Sequence, residues 1–284
     1  MRSLLIGLLL LLGLLQCTAP AGAPLTEKGQ LFIIGGGKRP PALVRKLIEA
    51  SGIDSTGYAI LLPMSSSEPD SAAYYGIKQF TDLGLPRARF RAYDFQKGQY
   101  PAPAVDSLRQ AQLIYITGGD QNRFMEVVHG SPVYDAIHDA YAAGATIAGT
   151  SAGAAVMSEK MITGNEKRHP EYTGNFRTIE SENMEIGQGL GLLDKAIIDQ
   201  HFIWRMRMNR LITTVLDHPE QTGIGIDEST AILVKQGRYA TVHGGYQVIV
   251  LRHPTGITTA QDSLLGGRNL ELSILLPGDT LHLH

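Results

Sequence analysis

Apolar residues recur along the chain in two alternating rhythms. Short continuous runs at Leu31–Ile34, Ala59–Leu62, Leu113–Ile116 and Thr146–Ala148, with a weaker one at Arg89–Tyr93, suit strands buried on both faces. Between them lie segments with helical spacing. Pro41–Ala50 carries Leu43, Val44, Leu47 and Ile48, and Asp70–Leu83 and Val133–Ala143 follow the same rule. This alternation predicts an α/β fold, a mostly parallel sheet with helices on both faces. After Met161 the rhythm loosens, and the polar stretch Thr163–Gln188 is expected to be an excursion or flap. Ala196–Ile198 resumes as a strand and Trp204–Leu216 as a helix. The last segments, Gly223–Ile226, Ala231–Val234, Tyr239–Val242, Gln247–Leu251 and Leu270–Leu276, read as short strands extending the same sheet with antiparallel edges. With no repeat and no linker composition, residues 24–284 are expected to form one domain.

In open α/β sheets the site forms at the C-terminal ends of the strands. Three polar or Gly-rich segments fall there: Gly35–Lys38, Thr117–Gln121 and Gly149–Gly153. The last, Gly149-Thr150-Ser151-Ala152-Gly153, matches the G-x-S-x-G elbow. An exposed serine at a tight strand-to-helix turn needs small neighbours, and Gly149, Ala152, Gly153, Ala154 and Ala155 supply them. Such a serine needs a base, and the base an orienting acid. Of nine histidines, His201 stands at a strand end inside Asp199-Gln200-His201, with His243 beside Gly244-Gly245 as the next candidate. Glu228 and its neighbour Asp227 compete as the orienting acid. Arg205, Arg207 and Arg210 follow His201. Their spacing does not put all three on one helical face, so they read either as solvated side chains or as a cationic wall for carboxylates.

Composition narrows the classes. A net charge of −2 with 18% charged residues gives no sign of a nucleic-acid partner. Gly35-Gly36-Gly37-Lys38 lacks the third glycine of a dinucleotide loop, and no Walker pattern occurs. Without H-E-x-x-H or paired Cys/His spacing, neither a metal nor another cofactor is expected. Met1-Arg2-Ser3 followed by apolar Leu4–Leu15 reads as an export leader over residues 1–23, too short for a bilayer span of about 20 residues. Cys17, the only cysteine, sits where a lipidated residue would follow cleavage, and cleavage near Ala19–Ala23 is the other route. The expected location is therefore periplasmic, extracellular or lipid-anchored to the envelope.

Several motifs together resemble the cyanophycinases, within the aspartyl dipeptidase-like serine peptidases. They are Phe32–Gly37, Thr117–Gln121, Gly149–Ala154, Gly189–Leu193, Asp199-Gln200-His201-Phe202 with the spaced arginines, and Gly225–Glu228. The resemblance implies a flavodoxin-like sheet of the class I glutamine amidotransferase kind, with Ser151 where amidotransferases carry cysteine. It implies Ser151 as nucleophile, His201 as base and Glu228 as its orienting acid. Gln121, Asp199, Gln200, Arg205, Arg207 and Arg210 are implied to line the substrate pocket. The implied substrate is an Asp-Arg polymer, multi-L-arginyl-poly-L-aspartate, cut to β-Asp-Arg dipeptides, and the implied assembly is a homodimer. Lys167, Arg168 and His169, in the stretch that departs from the family pattern, are expected to shape specificity. Two rivals stand beside this reading: an aspartyl or isoaspartyl dipeptidase, and a surface lipoprotein that keeps the fold but only binds ligands.

Overall fold

The computed structural model describes residues 29–283 apart from 56 and 172. The leader over 1–23 and Cys17 lie outside the described residues. In chain order the elements begin β1 (Gln30–Ile34), α1 (Pro41–Ser51), β2 (Ala59–Leu62), α2 (Pro69–Thr81), β3 (Phe90–Ala92), α3 (Ala102–Arg109), β4 (Leu113–Ile116), α4 (Gln121–Val128), α5 (Pro132–Ala142), β5 (Thr146–Thr150) and α6 (Ala152–Ala155). They continue with β6 (Lys160–Glu166), β7 (Met184–Gln188), β8 (Ala196–Gln200), α7 (Met208–Asp217), β9 (Thr222–Ile226), β10 (Thr230–Lys235), β11 (Tyr239–Gly244), β12 (Val248–Arg252), β13 (Thr258–Gln261), β14 (Leu264–Gly267), β15 (Glu271–Leu275) and β16 (Thr280–His282).

The central sheet has the order β16-β11-β10-β1-β5-β4-β2-β3. From β1 to β3 all pairs are parallel, whereas β10, β11 and β16 add antiparallel partners beyond β1. Side chains alternate between two cores, as the strand period requires. Leu31, Ile33, Ile114, Ile116 and Ile147 pack towards α3, α4 and α5. Phe32, Ile34, Leu113, Tyr115 and Ala148 pack towards α1 and α2. Nearly all are fully buried, which explains why the parallel strands read as unbroken apolar runs.

The C-terminal strands depart from the expectation. Only β10, β11 and β16 extend the central sheet. β9, β12 and β15 join β8 in a second sheet, ordered β15-β12-β9-β8. Its β8 residues Ala196 and Ile198 pack into the first of the two cores, so this sheet sits on the α3–α5 side. Residues 163–188 are not an unstructured flap at their base: β6 and β7 pair antiparallel. The helix expected over Trp204–Leu216 begins only at Met208. The reason is local. His201 and Met206 take left-handed φ of 49° and 50°, and the Asp227 carboxylate accepts the N–H groups of Ile203 and Trp204 at 3.1 and 2.9 Å, holding a turn open. Helices α3 and α4 fall in segments that the periodicity did not mark.

Candidate active site

The end of β1 is where the site is assembled. The Ile34 carbonyl accepts the Ser151 N–H at 3.0 Å, the Gly35 carbonyl accepts the His201 N–H at 2.7 Å, and the Gly36 carbonyl accepts the Ser229 N–H at 2.9 Å. Three loops distant in sequence are thereby clamped to three successive carbonyls. The glycines make this approach feasible. A Cβ on Gly36 would lie 2.4 Å from the His201 ring, and one on Gly37 would lie 2.5 Å from the Glu228 carboxylate. Both also carry positive φ, 111° and 68°, which side chains resist. Sequence reasoning marked Gly35–Lys38 only as a strand end; the triple glycine was the available signal for tight backbone contact.

Ser151 stands between β5 and α6 with φ 53° and ψ −112°. Conformations of this kind cost on the order of 1–3 kcal/mol and persist where the surroundings hold them. Here Gly149 and Gly153 allow that: a Cβ on Gly149 would lie 2.1 Å from the Gly153 carbonyl oxygen, and one on Gly153 would lie 2.3 Å from the Ile116 oxygen. Ser151 Oγ lies 2.9 Å from His201 Nε2, and His201 Nδ1 lies 2.5 Å from Glu228 Oε1. If Nδ1 carries the proton shared with Glu228, Nε2 is an acceptor facing the serine hydroxyl. His201 is 7% exposed, and burial lowers its pKa below the usual histidine value; the Glu228 hydrogen bond opposes this, and Arg205 adds to the lowering. The imidazole is therefore neutral near pH 7, the state a proton acceptor needs. Beside the serine, the N–H groups of Gly118 and Ala152 donate to no carbonyl among the described residues. They are donors available to a developing oxyanion.

The rivals named from sequence fall elsewhere. Asp227 caps the turn after His201, and the imidazole's carboxylate partner is Glu228. His243 lies on β11 and stacks on Phe32 with centroids 6.3 Å apart. The expected pocket residues divide. Arg205 is exposed beside His201. Arg207 and Arg210 do not form a wall with it: they are 4% and 2% exposed. Arg207 donates to the Gln200 carbonyl and side chain at 2.7 and 2.8 Å. Arg210 grips fully buried Asp199, with Nε to Oδ2 at 2.6 Å and Nη2 to Oδ1, and stacks under Phe176 at 4.7 Å. Gln121 donates to the carbonyls of Ile162 and Thr163, tying α4 to β6. Asp199, Gln200, Arg207 and Arg210 thus meet in one buried hydrogen-bonded group just before and after His201, Gln121 is spent on β6, and Arg205 faces solvent. Lys167, Arg168 and His169 lie in the excursion. A cavity of about 490 Å³ there, lined by Arg168, His169 and Arg177, shares no lining residue with the serine. Among the described residues no cluster of His, Cys, Asp and Glu has metal-binding geometry.

A serine–imidazole–carboxylate chain with a buried imidazole, at the carboxyl edge of a flavodoxin-like sheet, is the arrangement of a hydrolase. Residues 31–242 match the model of Peptidase family S51, and the chain belongs to that family. It is 32% identical over 271 residues to a cyanophycinase of Nostoc sp., covering 92% of this chain and 88% of that protein. A cyanophycinase of Trichormus variabilis gives the same identity and coverage. The fold is also that of a crystallised peptidase from an acI-B1 actinobacterium, with a TM-score of 0.66 at 22% identity, over 91% of this chain and 98% of the other. The chain is a cyanophycinase-like peptidase.

Proposed function

We propose that the chain is a serine exopeptidase that hydrolyses multi-L-arginyl-poly-L-aspartate to β-Asp-Arg dipeptides. The observation that carries the mechanism is the continuous hydrogen-bonded chain Ser151–His201–Glu228. Ser151 Oγ attacks the scissile carbonyl while His201 Nε2 takes its proton, and Glu228 stabilises the imidazolium. The N–H groups of Gly118 and Ala152 hold the oxyanion. His201 returns its proton to the leaving amine, giving an acyl-Ser151 ester and the first product. Water, deprotonated by His201, then attacks the ester and restores the serine. The substrate class is supported by the names of the relatives and by Arg205, an exposed cation beside His201 suited to the arginyl carboxylates of the polymer.

Mass spectrometry of products after incubation with the polymer tests this reading. Release of β-Asp-Arg by the wild type, with a loss of about 10⁴–10⁶ in kcat for Ser151→Ala, is the expected result. Cleavage of simple aspartyl dipeptides without attack on the polymer would favour the dipeptidase rival, and hydrolysis of neither would favour a binding protein. The leader pattern of residues 1–23 adds export to the same proposal; cell fractionation should find the protein outside the cytoplasm, with acyl labelling lost in Cys17→Ser if Cys17 is the anchor.

A further inference from the structure

Beside Ser151, on the face of the central sheet covered by α1 and α2, a cleft of about 160 Å³ opens between the β1 end and α2. Gly36, Gly37 and Arg39 form one wall, Tyr75 and Gly76 the other, and Tyr115, Thr117, Gly118, Thr150 and Ser151 complete it. It shares no residue with the Asp199–Arg210 pair, whose β8 belongs to the opposite face. Two of its residues carry hydroxyls that the fold leaves unused. Tyr115 is 1% exposed and Thr150 is 5% exposed, yet neither Tyr115 Oη nor Thr150 Oγ1 has a hydrogen-bond partner among the described residues.

Buried hydroxyls without partners are costly and uncommon in native proteins, and two on one cleft call for a polar occupant. Arg39 completes the set. Its Nε donates to Gln79 Oε1 at 2.7 Å and its Nη1 to the Gly37 carbonyl at 3.2 Å, which fixes the guanidinium plane and leaves Nη2 without an acceptor among the described residues. Two lining residues with unused O–H groups at the cleft floor, and one oriented N–H donor, supply the donor chemistry that a carboxylate takes. No carboxylate side chain lines the cleft to repel one.

We propose that this cleft is a carboxylate subsite, in which Arg39, Tyr115 and Thr150 bind a carboxylate of the substrate immediately beside the nucleophile. The inference rests on the polymer reading only for the identity of that carboxylate, which is either the α-carboxylate of a chain-terminal aspartyl residue or the carboxylate of an attached arginine. A subsite for the first would confine cleavage to chain ends. A subsite for the second would accept internal positions equally.

The test uses the full chain as Ser151→Ala, titrated calorimetrically with succinate as a bare carboxylate probe. Succinate should bind, and adding Arg39→Gln should weaken it at least tenfold. Adding Tyr115→Phe should weaken it several-fold without lowering Tm, because the removed oxygen has no partner in the free protein. Absence of binding, or affinity unmoved by both substitutions, overturns the subsite and leaves ordered water as the only occupant. The dimer (β-Asp-Arg)₂ then assigns the source. Amidation of its terminal aspartyl α-carboxylate, or instead of its arginyl carboxylates, should abolish the contribution of Arg39; if neither does, the subsite does not serve this substrate. Failure of the polymer reading is separate, since it appears as intact polymer in the hydrolysis assay while succinate binding is retained.

Discussion

His201 carries the pH behaviour of the site. Its burial sets the native pKa below 6.5, against the raising effect of Glu228. Only the neutral imidazole can accept the Ser151 proton, so kcat/KM should rise with pH along an acid limb centred below 6.5. Glu228→Gln removes the charge that favours imidazolium, so the limb should move to lower pH while kcat falls by about 10³–10⁴. Arg205→Gln removes a cation that disfavours imidazolium, so the limb should move upward, modestly because Arg205 is solvated. A pH–rate profile of the three proteins checks both signs; a common midpoint in all of them would refute the assignment. Stability follows the same residue. The unfolded chain binds a proton near 6.5 that the native imidazole refuses, so the native state loses stability as pH falls from 6.5 towards the lowered native value and is unaffected above it. Ser151 was legible in the sequence as the centre of an elbow motif, whereas His201 and Glu228 stood beside the rivals His243 and Asp227 and took their roles only from the family resemblance, because which strand ends meet is not written in local sequence. The unused hydroxyls of Tyr115 and Thr150 were not, since only coordinates reveal a missing partner.

At the scale of elements, β1 does more than fill the sheet: its carbonyls and glycines set the serine, histidine and glutamate loops against one another. Gly36→Ala would press a methyl group into the His201 ring at a φ that alanine resists. A displacement near 1 Å at a catalytic group costs about a hundredfold, so kcat/KM should fall by at least that factor and Tm should drop. Gly245→Ala, where the added Cβ meets nothing within 4 Å, serves as the control and should keep full activity. The segment after His201 teaches why boundaries misread. Trp204–Leu216 has helical spacing, but Asp227, in the loop after β9, takes the N–H groups of Ile203 and Trp204, an interaction with no trace in local periodicity. The same holds for the arginines. Arg210 is committed to Asp199 inside the protein, so Arg210→Met should destabilise by about 3 kcal/mol by stripping a buried carboxylate of its two strongest bonds and leaving it Arg207 at 3.7 Å. Denaturant unfolding checks this; a change under 1 kcal/mol would mean the pair is dispensable.

Across the whole molecule, the parallel half of the fold was readable because its strands are buried on both faces. The second sheet was not, because β9, β12 and β15 carry the same short apolar patterns whichever sheet receives them. Residues 163–188 are tied down onto the second half. Phe176 lies on Arg210, Glu182 donates its N–H to Asp217 on α7 at 2.8 Å, and Glu180 bridges to the β13–β14 turn. Glu180 accepts from Ser263 Oγ at 2.8 Å and pairs with His169 Nε2 at 2.6 Å. These hydrogen bonds, with one from Thr178, lower its pKa from 4.5 to about 2. A carboxylate depressed in the native state stabilises fully above its unfolded pKa, and that contribution fades as pH falls from 4.5 towards 2. The excursion should therefore loosen from the β13–β14 hairpin over that window. Hydrogen exchange across residues 176–183, corrected for intrinsic rates, should show protection declining in the wild type. In Glu180→Gln, protection should be lower at pH 5 and flat across the window. His169→Ala should retain part of the slope, because Thr178 and Ser263 still favour the carboxylate. A slope in Glu180→Gln equal to that of the wild type would place the acid-sensitive tie on another group.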